Sequence, residues 1–156
     1  MTIKTDAVII GGGPSGLFQV FELGLLDIHA HVVDSLKQVG GQCAELYPDK
    51  PIYDIPALPV CGAQELIDRL MEQIAPFQPE FHLGQTVNTL TQTAEGRFLL
   101  ETSAGTKFDT ATVILAAGLG AFQPRRLRAQ GAEPWEHRTI HYRVRDPENL
   151  ADQRLV

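Results

Sequence analysis

Asp6-Ala7-Val8-Ile9-Ile10-Gly11-Gly12-Gly13-Pro14-Ser15-Gly16-Leu17 reads as a short buried strand, a glycine-rich turn and the opening of a helix. Gly11 permits the tight turn, Gly13 lets the backbone approach a pyrophosphate, and Gly16 lets the helix pack closely on the strand. Pro14 suits a first helical turn, where its missing N–H costs nothing. Asp34 follows 21 residues after Gly13, at the end of a second strand-like run, His29-Ala30-His31-Val32-Val33. Strand, glycine turn, apolar helix and distal acid together make the dinucleotide-binding βαβ fingerprint. In that arrangement the helix amides and dipole hold a diphosphate, and Asp34 accepts hydrogen bonds from a ribose diol. A glycine turn alone can be purely structural. The strand before it, the helix after it and the spacing to the acid favour a nucleotide site.

Composition narrows the class further. The chain has 156 residues, 44% hydrophobic and 21% charged, with a net charge of -6. That is ordinary for a globular domain with a real core. The acidic balance argues against general nucleic-acid binding, and no apolar run approaches the roughly 20 residues needed to span a bilayer. The N-terminus runs straight into a strand without a signal-peptide core. Cys43 and Cys61 stand 18 residues apart without a C-x-x-C or metal-ligand spacing. Two lone cysteines suggest a reducing, cytoplasmic setting.

Outward from the fingerprint, the first helix is expected from Pro14 to about Leu23. Leu17, Phe18, Val20, Phe21 and Leu23 are apolar around most of its circumference, which predicts burial on more than one side. Gly24 sits where a C-terminal cap would be. His29 and His31 alternate along the next strand and share a face. With no third ligand evident nearby, they read as solvent-facing or hydrogen-bonded histidines rather than metal ligands. Residues 35–59 are too rich in Gly and Pro for a regular element and too apolar for a disordered linker, so they read as a loop wrapping something flat or extended. Leu66, Ile67, Leu70, Met71 and Ile74 form the apolar stripe of an amphipathic helix from Gly62 to Ile74, stopped by Pro76 and Pro79. Phe81-His82-Leu83 is a short strand. Beyond Gln85 the pattern becomes successive strands at 86–91, 97–102 and 106–108, followed by a buried one at 112–116. The fold class is therefore α/β: a Rossmann-like parallel sheet with an inserted antiparallel three-stranded β-meander. Ala116-Ala117-Gly118 permits close approach of backbone or ligand. Arg125, Arg126 and Arg128 form a basic cluster, either a solvated loop or a docking or phosphate-contacting patch.

The glycine turn, Gly40-Gly41-Gln42 leading to Tyr47-Pro48, Tyr53-Asp54-Ile55-Pro56, Gln85-Thr86-Val87 and Gly120-Ala121-Phe122-Gln123-Pro124-Arg125 occur in one register. In this the chain resembles, over essentially its whole length, the thioredoxin-reductase-like ferredoxin–NADP(+) reductases, bacterial flavoproteins with two dinucleotide-binding domains. The resemblance implies an FAD-binding portion of an oxidoreductase. In such enzymes NADP(H) is co-substrate, and FAD passes electrons to ferredoxin or flavodoxin. It implies FAD contacts at Gly11, Gly13, Ser15 and Gly16 on the pyrophosphate and at Asp34 on the adenosine ribose. Gln42 matches a polar contact near the flavin end, and Tyr47 the aromatic stacking on the isoalloxazine. Val87 matches the residue whose backbone meets the adenine, and Phe122 one bordering the flavin. The flavin carries the redox chemistry, so no catalytic nucleophile, general base or metal is expected. The family is typically dimeric, with neither nucleic acid nor membrane as partner.

The same resemblance predicts a domain plan. Residues 1–125 are the N-terminal part of the FAD-binding domain, 126–150 a connector, and 151–156 the truncated first strand of an NADP-binding domain otherwise absent. A chain of this plan is expected to lack an NADP site and the segment that returns to the FAD site, and so not to run the complete reaction alone. Two other readings share these residues: a non-catalytic or partner-dependent FAD-binding module, and a different thioredoxin-reductase-like flavin enzyme.

Overall fold

The computed structural model describes residues 1–121, 125–136, 138–142, 144 and 147–155. The chain divides into two compact units, Met1–Ala121 and Phe122–Val156.

The first unit is built on one six-stranded sheet of order β5-β2-β1-β8-β7-β6. Its strands are β1 (Thr2–Ile10), β2 (Ala30–Asp34), β5 (Glu80–Leu83), β6 (Val87–Gln92), β7 (Phe98–Thr102) and β8 (Lys107–Leu115). β1 runs parallel to both β2 and β8, and β2 parallel to β5, whereas β6, β7 and β8 pair antiparallel. The parallel sheet and the meander thus meet in β8. The sequence suggests separate strands at 106–108 and 112–116, but they are one element: Thr110 and Thr112 both pair with β1 without a break. The β-branched residues Thr110, Thr112, Val113 and Ile114 favour continued extension across the point where β7 ends.

Period-two alternation sorts the apolar residues into two layers. Ala7, Ile9, Ala30 and Val32 face helix α1 (Pro14–Gly24) and helix α3 (Ala63–Ile74), with Leu17, Val20, Leu66, Ile67, Leu70 and Ile74 filling the space between. Val8, Val33, Leu100 and Phe108 form a smaller cluster on the opposite face. The stripe of α3 is buried as its periodicity predicts, and Glu65 reaches back 3.2 Å to the Gly62 amide in a capping-box contact.

Four expectations are corrected. α1 buries one side only: Gly16, Leu17, Val20 and Leu23 are covered, whereas Phe18 is 46% exposed. The sheet, α3 and the Phe77 ring after it cover one side of the helix, and Phe18 lies outside that cover. Gly24 lies inside the helix rather than capping it. A Cβ there would stand 2.3 Å from the Phe77 ring, so this glycine serves a close helix–ring approach. The segment 35–59 is not structureless either. It contains a one-and-a-half-turn helix, α2 (Gly41–Leu46), and β3 (Pro51–Ile52), which pairs with β4 (Cys61–Gly62). Gly40 starts α2 from the left-handed region (φ 114°), a conformation that side chains disfavour, and so the Gly-Gly pair conceals a helix start. The strand at 112–116, expected to be buried, leaves Leu115 71% exposed.

The second unit consists of short turns around single contacts. Glu133–Trp135 and Pro147–Leu150 form 3-10 turns, and Ala132 is buried. The Tyr142 hydroxyl accepts from the Leu127 amide at 2.7 Å and donates to Glu136 at 2.9 Å. Arg126 lies 3.4 Å from the same carboxylate. One member of the basic cluster is therefore engaged internally. Residues 151–155 adopt no strand here, and a strand needs a neighbour to take up its hydrogen bonds.

Candidate functional site: a glycine cradle at the mouth of a parallel sheet

β1 ends at Ile10, and the backbone turns sharply at Gly11, whose φ of 111° belongs to glycine. The turn is packed from two directions. A Cβ on Gly11 would lie 2.3 Å from the Ala116 carbonyl oxygen, and one on Gly16 would lie 1.9 Å from the Gly11 carbonyl oxygen. These two glycines are required by the protein's own packing. The approach is to the backbone of Ala116 and Ala117, just after β8.

Gly13 is different. Its backbone is ordinary extended chain (φ -77°), and a Cβ there would meet nothing nearer than the Gly41 Cα at 3.8 Å. A side chain at this position would fit the protein but would fill the space in front of the helix. Gly13 is the N-cap of α1 and caps nothing with a side chain, and the first turn carries no acidic residue. The opening amides of α1, at Ser15 and Gly16, therefore face the mouth of the sheet with the positive end of the helix dipole behind them. Ser15 and Gln19 line an open depression of about 330 Å³ together with residues 114–118.

Asp34 closes the other side. It is 8% exposed, and its carboxylate accepts the Gly12 amide at 2.6 Å on Oδ2 and the Leu36 amide at 2.8 Å on Oδ1. The sequence assigns this acid to a ribose, yet its nearest partners are the glycine turn and its own loop. Each oxygen keeps a second lone pair. Gln85 donates its amide to the Asp34 carbonyl at 2.9 Å, so the entry to β6 is tied to the end of β2. Val87, half-buried at the start of β6, sits on that side of the mouth.

Gln42 and Tyr47 come from α2 and the residue that ends it. The Gln42 amide lies 3.6 Å from where a Gly118 Cβ would be, at the end of β8, so it reaches across the mouth. Tyr47 is half-buried against the main core, with the Lys50 ammonium 5.3 Å from its ring centre. Phe122, the remaining candidate, lies outside the described residues. Gly11, Gly13, Ser15, Gly16, Asp34 and Gln42 are thus gathered at the carboxyl ends of β1, β2 and β8, the end where open α/β sheets bind ligands. Tyr47 is set to one side against the core.

The site also uses residues that the fingerprint does not name. Gly40 donates to the Gly12 carbonyl at 2.7 Å, and a Cβ on Gly41 would come 3.0 Å from Gly13 Cα. The glycine pair at the start of α2 seats that helix directly on the glycine turn. The signal was present in Gly40-Gly41-Gln42, but its reason is a contact across 28 residues of chain that spacing alone does not reveal.

A glycine cradle backed by a helix dipole, with a buried acid tying the turn to the second strand, is the layout of a Rossmann-like α/β fold. Solved structures of the same form include a thioredoxin reductase from Streptococcus pyogenes (TM-score 0.65, 20% identity, 86% of this chain and 41% of that one). A cyclohexanone monooxygenase from Rhodococcus sp. Phi1 is also similar (TM-score 0.67, 20% identity, 81% of this chain and 28% of that one). At such identities the likeness establishes the fold. No protein-family profile matches the chain.

Sequence relatives are more specific. The chain is 58% identical over 154 residues to ferredoxin–NADP reductase 2 of Cupriavidus metallidurans, covering 99% of this chain and 42% of that protein. It is 60% identical over 154 residues to the ferredoxin–NADP reductase of Albidiferax ferrireducens, covering 99% of this chain and 44% of that one. It is a close homologue of the N-terminal portion of bacterial ferredoxin–NADP reductases, and spans somewhat over two-fifths of their length.

Proposed function

We propose that this chain is the FAD-binding portion of a flavoprotein oxidoreductase, moving electrons between NADPH, FAD and ferredoxin or flavodoxin. The observation that carries the reading is the contrast among the glycines. Gly11 and Gly16 are demanded by packing, whereas Gly13 leaves a gap that a Cβ would fill. A gap kept open at a helix N-terminus fits a diphosphate.

In this assignment the amides of Gly13, Ser15 and Gly16 bind the pyrophosphate, with Gly11 giving the turn its shape. Asp34 holds the turn through Gly12 and offers its remaining lone pairs to the adenosine ribose. The Val87 backbone meets the adenine, Gln42 contacts the flavin end, Tyr47 stacks on the isoalloxazine, and Phe122 borders it. Bound FAD supplies the hydride and single-electron chemistry; the protein's residues bind and orient it. A reducing, cytoplasmic setting accords with Cys43 and Cys61, both buried as free thiols. No helix among the described residues is long and apolar enough to cross a membrane. Residues 1–125 act as the flavin-binding part, 126–150 as connector and 151–156 as the lead into an NADP-binding domain. Pairing of two subunits belongs to the complete enzyme.

The purified chain titrated with FAD is expected to quench flavin fluorescence saturably at one flavin per chain. It is expected to show no NADPH-driven ferredoxin reduction unless a polypeptide carrying the NADP site is added. Absence of flavin binding rejects the proposal. Ferredoxin reduction by the chain alone rejects the division of labour within it.

A further inference from the structure

We propose that His29, His31 and Glu80 form a binding site for a divalent transition metal of the zinc type, on the sheet face opposite α1 and α3. β2 and β5 are parallel neighbours with His31 paired to Glu80. Alternation puts His29 and His31 on one face, with ring centres 5.4 Å apart. Along the sequence the two histidines lack a third ligand; the register of β5 supplies it from 49 residues away.

One ligand atom from each residue lies within 4.8 Å of the other two, and His31 Nδ1 is 3.8 Å from Glu80 Oε2. Donors around tetrahedral Zn²⁺, at bonds of about 2.0–2.2 Å, stand about 3.4 Å apart. The three groups therefore need to close by about an ångström, and His29 and Glu80 have exposed side chains free to do so. His31 is the fixed member. It is buried, its Nδ1 lies 3.0 Å from His82 Nε2, and the Phe108 ring packs against both imidazoles. A metal on His31 Nδ1 would replace the contact that nitrogen makes with His82, while the Phe108 ring keeps the imidazole in place.

The donor set decides the ligand class. Two imidazoles and one carboxylate suit Zn²⁺ and its neighbours, whereas Mg²⁺ and Ca²⁺ favour oxygen donors throughout. A bound ion would tie the edge strand β5 to β2, three residues before Asp34. The site shares no residue with the glycine cradle, so its test stands apart from the flavin proposal.

The experiment is a calorimetric titration of the chelator-treated chain with ZnCl₂ at neutral pH, repeated with Co²⁺ for its visible absorption. The expected result is one ion per chain, a tetrahedral cobalt spectrum, and affinity reduced about tenfold or more in both His29→Ala and Glu80→Gln. Both replaced side chains are exposed, so the variants keep the fold, which circular dichroism verifies. Absence of saturable binding overturns the proposal. So does an isotherm unchanged in both variants, since the ion is then held elsewhere.

Discussion

The Gly12 amide and the Asp34 carboxylate are joined by a 2.6 Å hydrogen bond across 22 residues of chain. With the Leu36 amide on the other oxygen, the acid pins the glycine turn to the end of β2. Asp34 is therefore a structural residue as well as the proposed ribose partner. Asp34→Ala strands the buried Gly12 amide and the part-buried Leu36 amide and is expected to lower stability by about 1–3 kcal/mol. Asp34→Asn retains one acceptor and should lose less. Chemical denaturation of the three proteins, with FAD absent, checks this ordering.

The glycines of the turn separate by function. Gly13→Ala is expected to leave the denaturation midpoint nearly unchanged and to weaken FAD binding by about tenfold, a free-energy loss of about 1.4 kcal/mol. Gly16→Ala drives a methyl into the Gly11 carbonyl and is expected to cost about 1–3 kcal/mol of stability or more. Measuring stability and flavin affinity together on both variants distinguishes a position reserved for ligand from one reserved for packing.

Much of this was legible in the sequence. The strand–turn–helix unit, the amphipathic α3 and the meander all follow from periodicity and turn residues. The contacts that make the turn a site were less visible. Gly40 and Gly41 meet the phosphate turn through a fold-back, and Glu80 meets His31 through strand register. Both are decided by topology, not by spacing. The exposed flank of α1 at Phe18 was misjudged for a related reason: apolar composition says what can be buried, but only a neighbouring element buries it.

Tyr47 carries a prediction specific to the flavin end. If its ring stacks on the isoalloxazine, Tyr47→Leu preserves the packing against the core and removes the π-face. Bound flavin should then recover fluorescence, with affinity falling only a few-fold, on the order of 1 kcal/mol. Equal quenching in both proteins places the flavin ring elsewhere.

The histidine cluster makes stability depend on pH. Burial, partly offset for both rings by Glu80, keeps His31 and His82 below the ordinary histidine value of about 6.5. Below that value the unfolded chain takes up protons that the native chain still refuses, so unfolding becomes easier as pH falls toward the native pKa values. His29 and Glu80 lie beside the same rings, and their charges act on His31. Urea denaturation from pH about 7.5 down to about 5 should show a declining midpoint in the parent and a flatter decline in His82→Gln.

The central claim is that the opening amides of α1 hold the diphosphate of FAD. The most direct measurement follows the backbone amides of the ¹⁵N-labelled chain by NMR as FAD is added. Gly13, Ser15 and Gly16 should shift in step with saturation, and the change should vanish in a variant with a bulky residue at position 13. Saturable FAD binding that leaves those three amides unmoved would contradict the account.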